Sequence, residues 1–570
     1  MSSPGIRGSW VVVSSLVAIV GSLSGCAADA AQDEEGNAAA EPNALTESSY
    51  VSTAVLGALS SSASMRGKTW NVTKDNRLEG DWLWQTPVQP MFGHSVNELV
   101  VPSACTTNCD PDFALQRCNA QTDCTGGGVC KPVLATVKTP GGTPASLCVG
   151  HSDALIDEMY RIMTSGQKFV DVTSLLPPDG RYLAAMRNAI TFQSRKATPP
   201  KMRLLFGDFP VQGVVNTTTL LESLSRDVAA TSPIRVAVGA FRSSDLPASW
   251  NHSKIIAVDG KTAFVGGHNL WTEHYQGKDP VADLSMRVEG SAAVDAHKFA
   301  NVLWDYTCNN MSWLTWMTWS VWANQLENGS ITSHCPARFD LPVVAGAPGA
   351  TVISVGRLGT GIQSNGNQAD AARIAMIASA KTTIRMSQQD IGPATAPFFG
   401  IPVGSWPDAE IGAMADAMTR GVQVYLVLSD KGAVAGGLSA TYASYSNGWS
   451  LTDVGRRIQS YMQARSKYPH DAALRALLCD KLHLAQLRYG ADTQWPDGSL
   501  FANHAKAISV DEQAFYIGSQ NVYPAGLQEF GYIVDDSTAT ARYHAGYWND
   551  VWKYSSVTAI SGNGLATCGL

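Results

Sequence analysis

Two distant segments of this 570-residue chain repeat one pattern at the same spacing. The first is His252-Ser-Lys254, then Asp259, then Gly266-Gly267-His268-Asn269. The second is His504-Ala-Lys506, then Asp511, then Gly518-Ser519-Gln520-Asn521. The chain has only 11 histidines, so chance would supply about 0.02 strings of the form H-x-K-x4-D per chain, and two far more rarely. A duplicated set of His, Lys and Asn implies one active centre built from two halves. Its chemistry suits phosphate.

The spacing also predicts local geometry. Residues i and i+2 of a strand point the same way, which pairs His252 with Lys254 and His504 with Lys506. Ile255–Val258 and Ala507–Val510 continue as apolar strands. Asp259-Gly260 and Asp511-Glu512 read as hairpin turns, which is a structural reason for both aspartates. The returning strands, Ala263–Gly267 and Ala514–Gly518, would carry Asn269 back beside His252 and Asn521 beside His504. Gly266, Gly267, Gly518 and Ser519 would let backbone approach a ligand closely.

Around these hairpins the chain alternates helix and strand. Residues 152–164, 181–195 and 291–307 have helical periodicity, and 168–174, 202–206 and 234–238 suit buried strands. The order recurs with helices at 368–380 and 407–420 and strands at 382–388 and 422–428. Helix–strand alternation ending in the same late motif indicates two similar α/β domains. We place them at 66–345 and 346–570, with the junction in the Pro- and Gly-containing stretch 340–350.

Composition is that of a globular protein, with 45% apolar and 16% charged residues. The net charge is −7, and residues 27–47 hold six acids and no base. A general nucleic-acid binder would be basic, so none is expected as partner. The N-terminus reads as an export signal over 1–25, with Arg7 ahead of an apolar run, Trp10–Val20, that is short for a bilayer span. Leu23-Ser24-Gly25-Cys26 resembles a bacterial lipobox with Cys26 as the lipidated residue. Ordinary cleavage near Ala28 is the alternative. The expectation is an exported protein, either a membrane-anchored lipoprotein of the cell envelope or secreted. Residues 26–65, rich in Ala, Ser and acid, read as a disordered tether.

Cysteine usage agrees with export. Cys105, Cys109, Cys118, Cys124, Cys130 and Cys148 crowd into an insert at 103–149, which suggests three disulfides. A zinc cluster is the alternative, although no His lies within the run. Pairs Cys308–Cys335 and Cys479–Cys568 would staple each half.

Both motif segments resemble the HxKxxxxDxxxxxxGSxN signature of the phospholipase D superfamily. SWNHSKIIAVDGKTAFVGGHNLWTEHY (249–275), DPVADLSMRVEG (279–290), MSQQDIG (386–392) and NHAKAISVDEQAFYIGSQNVYPAGLQEFGYIV (503–534) resemble its secreted Streptomyces-type members, as does the lead-in DWLWQTP (81–87). The six-cysteine insert departs from them, and Gly267 stands where the motif usually has Ser, removing a hydroxyl near the phosphate. The resemblance implies an internally duplicated α/β sandwich fold and hydrolysis of a phospholipid at a membrane surface. It implies His252 as nucleophile and His504 as acid then base. Lys254, Lys506, Asn269 and Asn521 would hold phosphoryl oxygens, and Asp283 and Glu529 would support the histidines. Glu529 replaces the more usual Asp. It further implies Trp271 and Tyr275 around a choline head group, with Tyr442 or Tyr445 as a third wall. No metal or other cofactor is expected, and a monomer is. The rival readings are another phosphodiesterase of the superfamily, a nuclease or a phospholipid synthase, and a non-catalytic lipid-binding lipoprotein.

Overall fold

The computed structural model describes residues 49–570 apart from 209–214, 244–248, 311–318, 323–334, 345, 363–365, 396–401, 404, 434–447, 561–567 and 569–570. The leader, Cys26, Tyr442 and Tyr445 lie outside the described residues.

Two eight-stranded sheets form the body. In the first, Phe169–Ser174, Lys201–Gly207 and Arg235–Phe241 run parallel. The hairpin Ile255–Val258/Thr262–Gly266 and the strand Asp283–Glu289 extend this sheet antiparallel. The second sheet repeats the order. Thr383–Gln388, Gln423–Leu428 and Leu482–Gln486 are parallel, then come the hairpin Lys506–Val510/Ala514–Gly518 and the strand Glu529–Asp535. The parallel strands are largely buried because both faces are covered, although Phe169–Ser174 and Thr383–Gln388 carry polar side chains as well. Helices Asp153–Ser165, Gly180–Ser194 and Thr217–Ser225 pack on the first sheet. The inner faces share one core, in which Val265 and Leu284 of the first sheet join Ile517 and Phe530 of the second. Full burial of such a side chain contributes about 1.5–3 kcal/mol, and this shared core makes the halves a single body.

The chain does not divide cleanly at 340–350. Trp70–Asn76 pairs with Ala350–Arg357 and forms the edge of the second sheet. Leu83–Thr86 pairs with Asp283–Glu289 at the edge of the first. One short stretch thus supplies an edge strand to each half. The tether expected at 26–65 also needs correction. Tyr50–Leu59 is an α-helix capped by the Ser49 hydroxyl, which accepts from the backbone N–H of Val51 and Ser52. Val51, Val55 and Leu59 are wholly buried. Small residues around this i, i+4, i+8 stripe hide it from composition, but the stripe is enough to dock the helix on Gln368–Ala378.

The hairpin turns occur where the spacing puts them. Asp259 and Asp511 adopt φ of 54° and 53°, a left-handed conformation that Asp tolerates better than most residues. Each carboxylate ties its turn to a neighbouring strand. Asp259 accepts from the N–H of Gln167, Lys168 and Phe169 at 2.8, 2.9 and 2.7 Å. Asp511 accepts from those of Lys381, Thr382 and Thr383 at 3.0, 2.8 and 2.8 Å. Asp259→Ala is therefore expected to destabilise the protein by about 1–3 kcal/mol, read as a lower denaturant midpoint, with turnover per folded molecule within about twofold. Lost turnover at unchanged stability would place Asp259 in the chemistry instead.

Five disulfides join the ten described cysteines: Cys105–Cys109, Cys118–Cys130, Cys124–Cys148, Cys308–Cys335 and Cys479–Cys568. The insert sulfurs are thus disulfide-bonded rather than thiolate ligands. The insert folds around the hairpin Val129–Val133/Ala145–Val149. The Asp112 carboxylate fastens it to the first half through Arg187 and Arg226, at 2.6 and 2.5 Å.

Candidate active site

Both histidines sit at the seam between the sheets, just before the strands expected to carry them, and Lys254 also precedes its strand. The strands begin at Ile255 and Lys506, after the histidines. Each histidine segment is stitched to the opposite half. The backbone N–H of His252 donates to the carbonyl of Gln528 at 2.9 Å, and that of His504 to the carbonyl of Ala282 at 2.6 Å. The strands Glu529–Asp535 and Asp283–Glu289 start at these contacts, so their first side chains arrive beside the other half's imidazole. His252 Nδ1 lies 2.9 Å from Glu529 Oε2, and His504 Nδ1 lies 2.6 Å from Asp283 Oδ2. The carboxylate serving each histidine therefore comes from the opposite motif's half.

These bonds fix the chemistry available. A carboxylate accepts, so Nδ1 carries the proton in each pair, and Nε2 is left to act on a substrate. All four groups are almost wholly buried, with His252 5% and His504 1% exposed. Lys254 Nζ donates to the carbonyl of His252 at 2.8 Å, and Lys506 Nζ does the same to His504.

Burial shapes the proton affinities. It pushes His252 below the ordinary imidazole value, against the pull of Glu529. It pushes His504 well below that value, and the positive charges of Lys506 and Lys254 act in the same direction. Asp283, at 2.6 Å, opposes both effects. Lys254 is lowered to about 8 by burial, opposed by Glu529 and Asp283. Burial alone would raise Glu529, but His252, Lys254 and the Ser519 hydroxyl together hold it below the ordinary carboxylate range. The centre thus gathers two imidazoles and two lysines around two carboxylates. An incoming anion would favour the protonated forms of these four basic groups.

Residues 374–552 match the family model described as "Cardiolipin synthase, PLD-like domain". Phospholipase D of Streptomyces antibioticus is 32% identical over 475 residues, covering 75% of this chain and 81% of that protein. The chain belongs to the phospholipase D family. A probable cardiolipin synthase, YwiE of Bacillus subtilis (strain 168), is 38% identical over 65 residues, 11% of this chain and 13% of its own. Among solved structures, phosphatidylserine synthase of Haemophilus influenzae is similar with a TM-score of 0.47 at 11% identity, covering 70% of this chain and 84% of that one.

In this phospholipase D fold the motif glycines serve packing rather than ligand approach. A Cβ on Gly266 would lie 2.4 Å from the Ser285 Cα, and one on Gly518 would lie 2.7 Å from the Gly531 Cα. At Gly267 a Cβ would lie 1.9 Å from Asp283 Oδ1. The expectation that a serine hydroxyl at 267 would sit near phosphate also changes. Its counterpart, the Ser519 Oγ, donates to Glu529 Oε2 at 2.6 Å. The hydroxyl position belongs to the carboxylate.

The remaining expected site residues are placed as follows. Asn269 is wholly buried, and its backbone N–H donates to the Tyr275 hydroxyl at 3.0 Å. Asn521 Nδ2 donates to the Tyr523 hydroxyl at 2.6 Å, beside a cavity of about 280 Å³ lined by Arg357, Trp406 and Glu410. Trp271 packs with Leu175 and Leu176. Tyr275 presents no open face; it is 1% exposed and its hydroxyl donates to Asp283 Oδ2 at 2.9 Å. Sequence reasoning missed His274, which stands edge-on to Trp271 and Tyr275. Burial lowers it to about 4 and keeps it neutral. It lies within electrostatic reach of His504, and its three-residue offset from Trp271 was the available signal.

Proposed function

We propose that this enzyme is a phospholipase D that hydrolyses the distal phosphodiester of glycerophospholipids such as phosphatidylcholine, giving phosphatidate and the free head-group alcohol. The observation that carries the reading is the crossed pairing of His252 with Glu529 and His504 with Asp283. His252 Nε2 attacks phosphorus as the bond to the head-group oxygen breaks, and the departing oxygen takes its proton from His504 Nε2. A water then yields its proton to His504 and displaces His252, releasing phosphatidate. An alcohol in place of water gives transphosphatidylation by the same path. Lys254, Lys506, Asn269 and Asn521 hold the equatorial oxygens, where charge gathers in the transition state. Trp271 is the aromatic candidate for a quaternary ammonium.

Choline release from phosphatidylcholine vesicles tests the reading. Release by the wild type supports it. Turnover confined to a nucleic acid, or no turnover of any phospholipid, overturns it. The match to a cardiolipin synthase model favours one second reading, transfer to a phosphatidylglycerol acceptor. Supplying that acceptor in the same assay separates transfer from hydrolysis.

Anion binding should be pH-dependent. His504 has a low proton affinity in the empty site, and a bound phosphodiester raises it. The complex therefore binds more protons than the free enzyme, and affinity falls as pH rises from the free value toward the bound one. A second weakening is expected above about pH 8 as Lys254 loses its proton. Titration calorimetry with a non-hydrolysable phosphodiester analogue should show this; a flat affinity between about pH 5 and pH 9 would contradict the assigned charges.

Export, lipidation at Cys26 and a monomer acting at a membrane surface complete the proposal; the five disulfides support export. Among the described residues, no helix is long and apolar enough to cross a membrane. Radiolabelled palmitate in wild type but not in Cys26→Ser tests the anchor.

A further inference from the structure

The two halves solve one problem with different residues. Gly267 and Ser519 hold the same motif place, and their backbones do the same thing. Gly267 N–H donates to the Leu284 carbonyl at 2.9 Å, and Ser519 N–H to the Phe530 carbonyl at 3.0 Å. In the second half the Ser519 hydroxyl has two partners. It donates to Glu529 Oε2 at 2.6 Å and accepts from the Phe530 N–H at 3.0 Å. The first half has no hydroxyl at 267, and Asp283 Oδ1 fills that space. Asp283 Oδ1 takes the Leu284 N–H itself at 2.8 Å. The donor to the carboxylate comes from elsewhere. It is the Tyr275 hydroxyl, 2.9 Å from Asp283 Oδ2, the oxygen that holds His504.

We propose that Tyr275 is a positioning residue of the reaction: its hydroxyl holds Asp283, and through Asp283 it sets the orientation and proton affinity of His504. The direction of its proton is fixed. The hydroxyl accepts from the Asn269 N–H at 3.0 Å, so its own proton points at Asp283. Burial raises its proton affinity well above the ordinary phenol value, which keeps it a donor. The ring is clamped by its surroundings. It lies in the short helix Thr272–Gln276, whose Thr272 N–H donates to Asp179 at 2.7 Å and whose Gln276 donates to the Tyr182 hydroxyl at 2.9 Å. The His268 ring packs edge-on at 4.9 Å. One hydroxyl thus links the Asn269 backbone to the carboxylate of the general acid.

The inference rests on the role given to His504 above, and Tyr275→Phe tests it. Phenylalanine keeps the ring and its packing and removes only the donor. Losing the donor makes Asp283 a stronger base, which strengthens its hold on the His504 imidazolium. The expected result is an upward displacement of the His504 titration by about half a pH unit or more in 15N-imidazole NMR, with His252 unmoved. Ser519→Ala should do the reverse, moving His252 and sparing His504. The kcat for phosphatidylcholine should fall about 10- to 100-fold with KM changed less than about threefold, and the choline-to-ethanolamine preference should stay as in the wild type. A His504 titration that does not move in Tyr275→Phe overturns the proposal, as does unchanged kcat. The NMR arm needs no substrate, so it reads the positioning role even where the wild type fails to release choline, an outcome that counts against the phospholipid reading alone.

Discussion

Replacing His252 or His504 with Ala is expected to lower choline release by about 10,000-fold or more, and the double variant should be scarcely worse than either single one. The two variants should fail at different steps. Without His252 nothing attacks phosphorus, so no product forms from any substrate. Without His504 the leaving group is not protonated, and water is not activated afterwards. A substrate whose leaving group needs no proton, such as a p-nitrophenyl phosphodiester, should then give His504→Ala one burst of p-nitrophenolate per active site, followed by a stall. Rapid-mixing absorbance measurements distinguish the two. Equal multiple turnover by both variants would remove the histidines from the chemistry.

The crossed carboxylates lead to the second large effect. Asp283→Asn and Glu529→Gln keep shape and lose charge, so each should cost about 1,000- to 10,000-fold in kcat by leaving the imidazolium unsupported and the neutral imidazole free to adopt the wrong tautomer. Which step fails identifies the partner. Because Glu529 holds His252 at 2.9 Å and Asp283 holds His504 at 2.6 Å, Glu529→Gln should lose the burst and Asp283→Asn should keep it. Pairing within each half would give the opposite assignment. The same p-nitrophenyl assay decides.

Much of this centre was legible in the chain before folding. Hairpin geometry follows from four residues between Lys and Asp, and the duplicated order of helices and strands follows from hydrophobic periodicity. The crossing was not legible. Asp283 follows the first motif and Glu529 the second, and nothing local shows that each strand opens against the other half's histidine. That arrangement arises only when both sheets close on a shared core. The helix Tyr50–Leu59 was hidden for a related reason: its buried stripe is three residues in a run of small ones, and its worth comes from the helix it docks on. Tyr275 stands at aromatic spacing from Trp271, which reads as a head-group wall; only the fold turns its hydroxyl inward to a carboxylate. Gly267 reads as a lost serine until Asp283 is seen occupying that space.

The most direct test of the account is the identity of the covalent intermediate. Wild-type enzyme quenched within milliseconds of mixing with phospholipid labelled at phosphorus should carry the label on His252, in the peptide around Asn251, as an alkali-stable phosphohistidine. Label on His504 or on an acidic side chain, or no protein-bound label under single-turnover conditions, would contradict it.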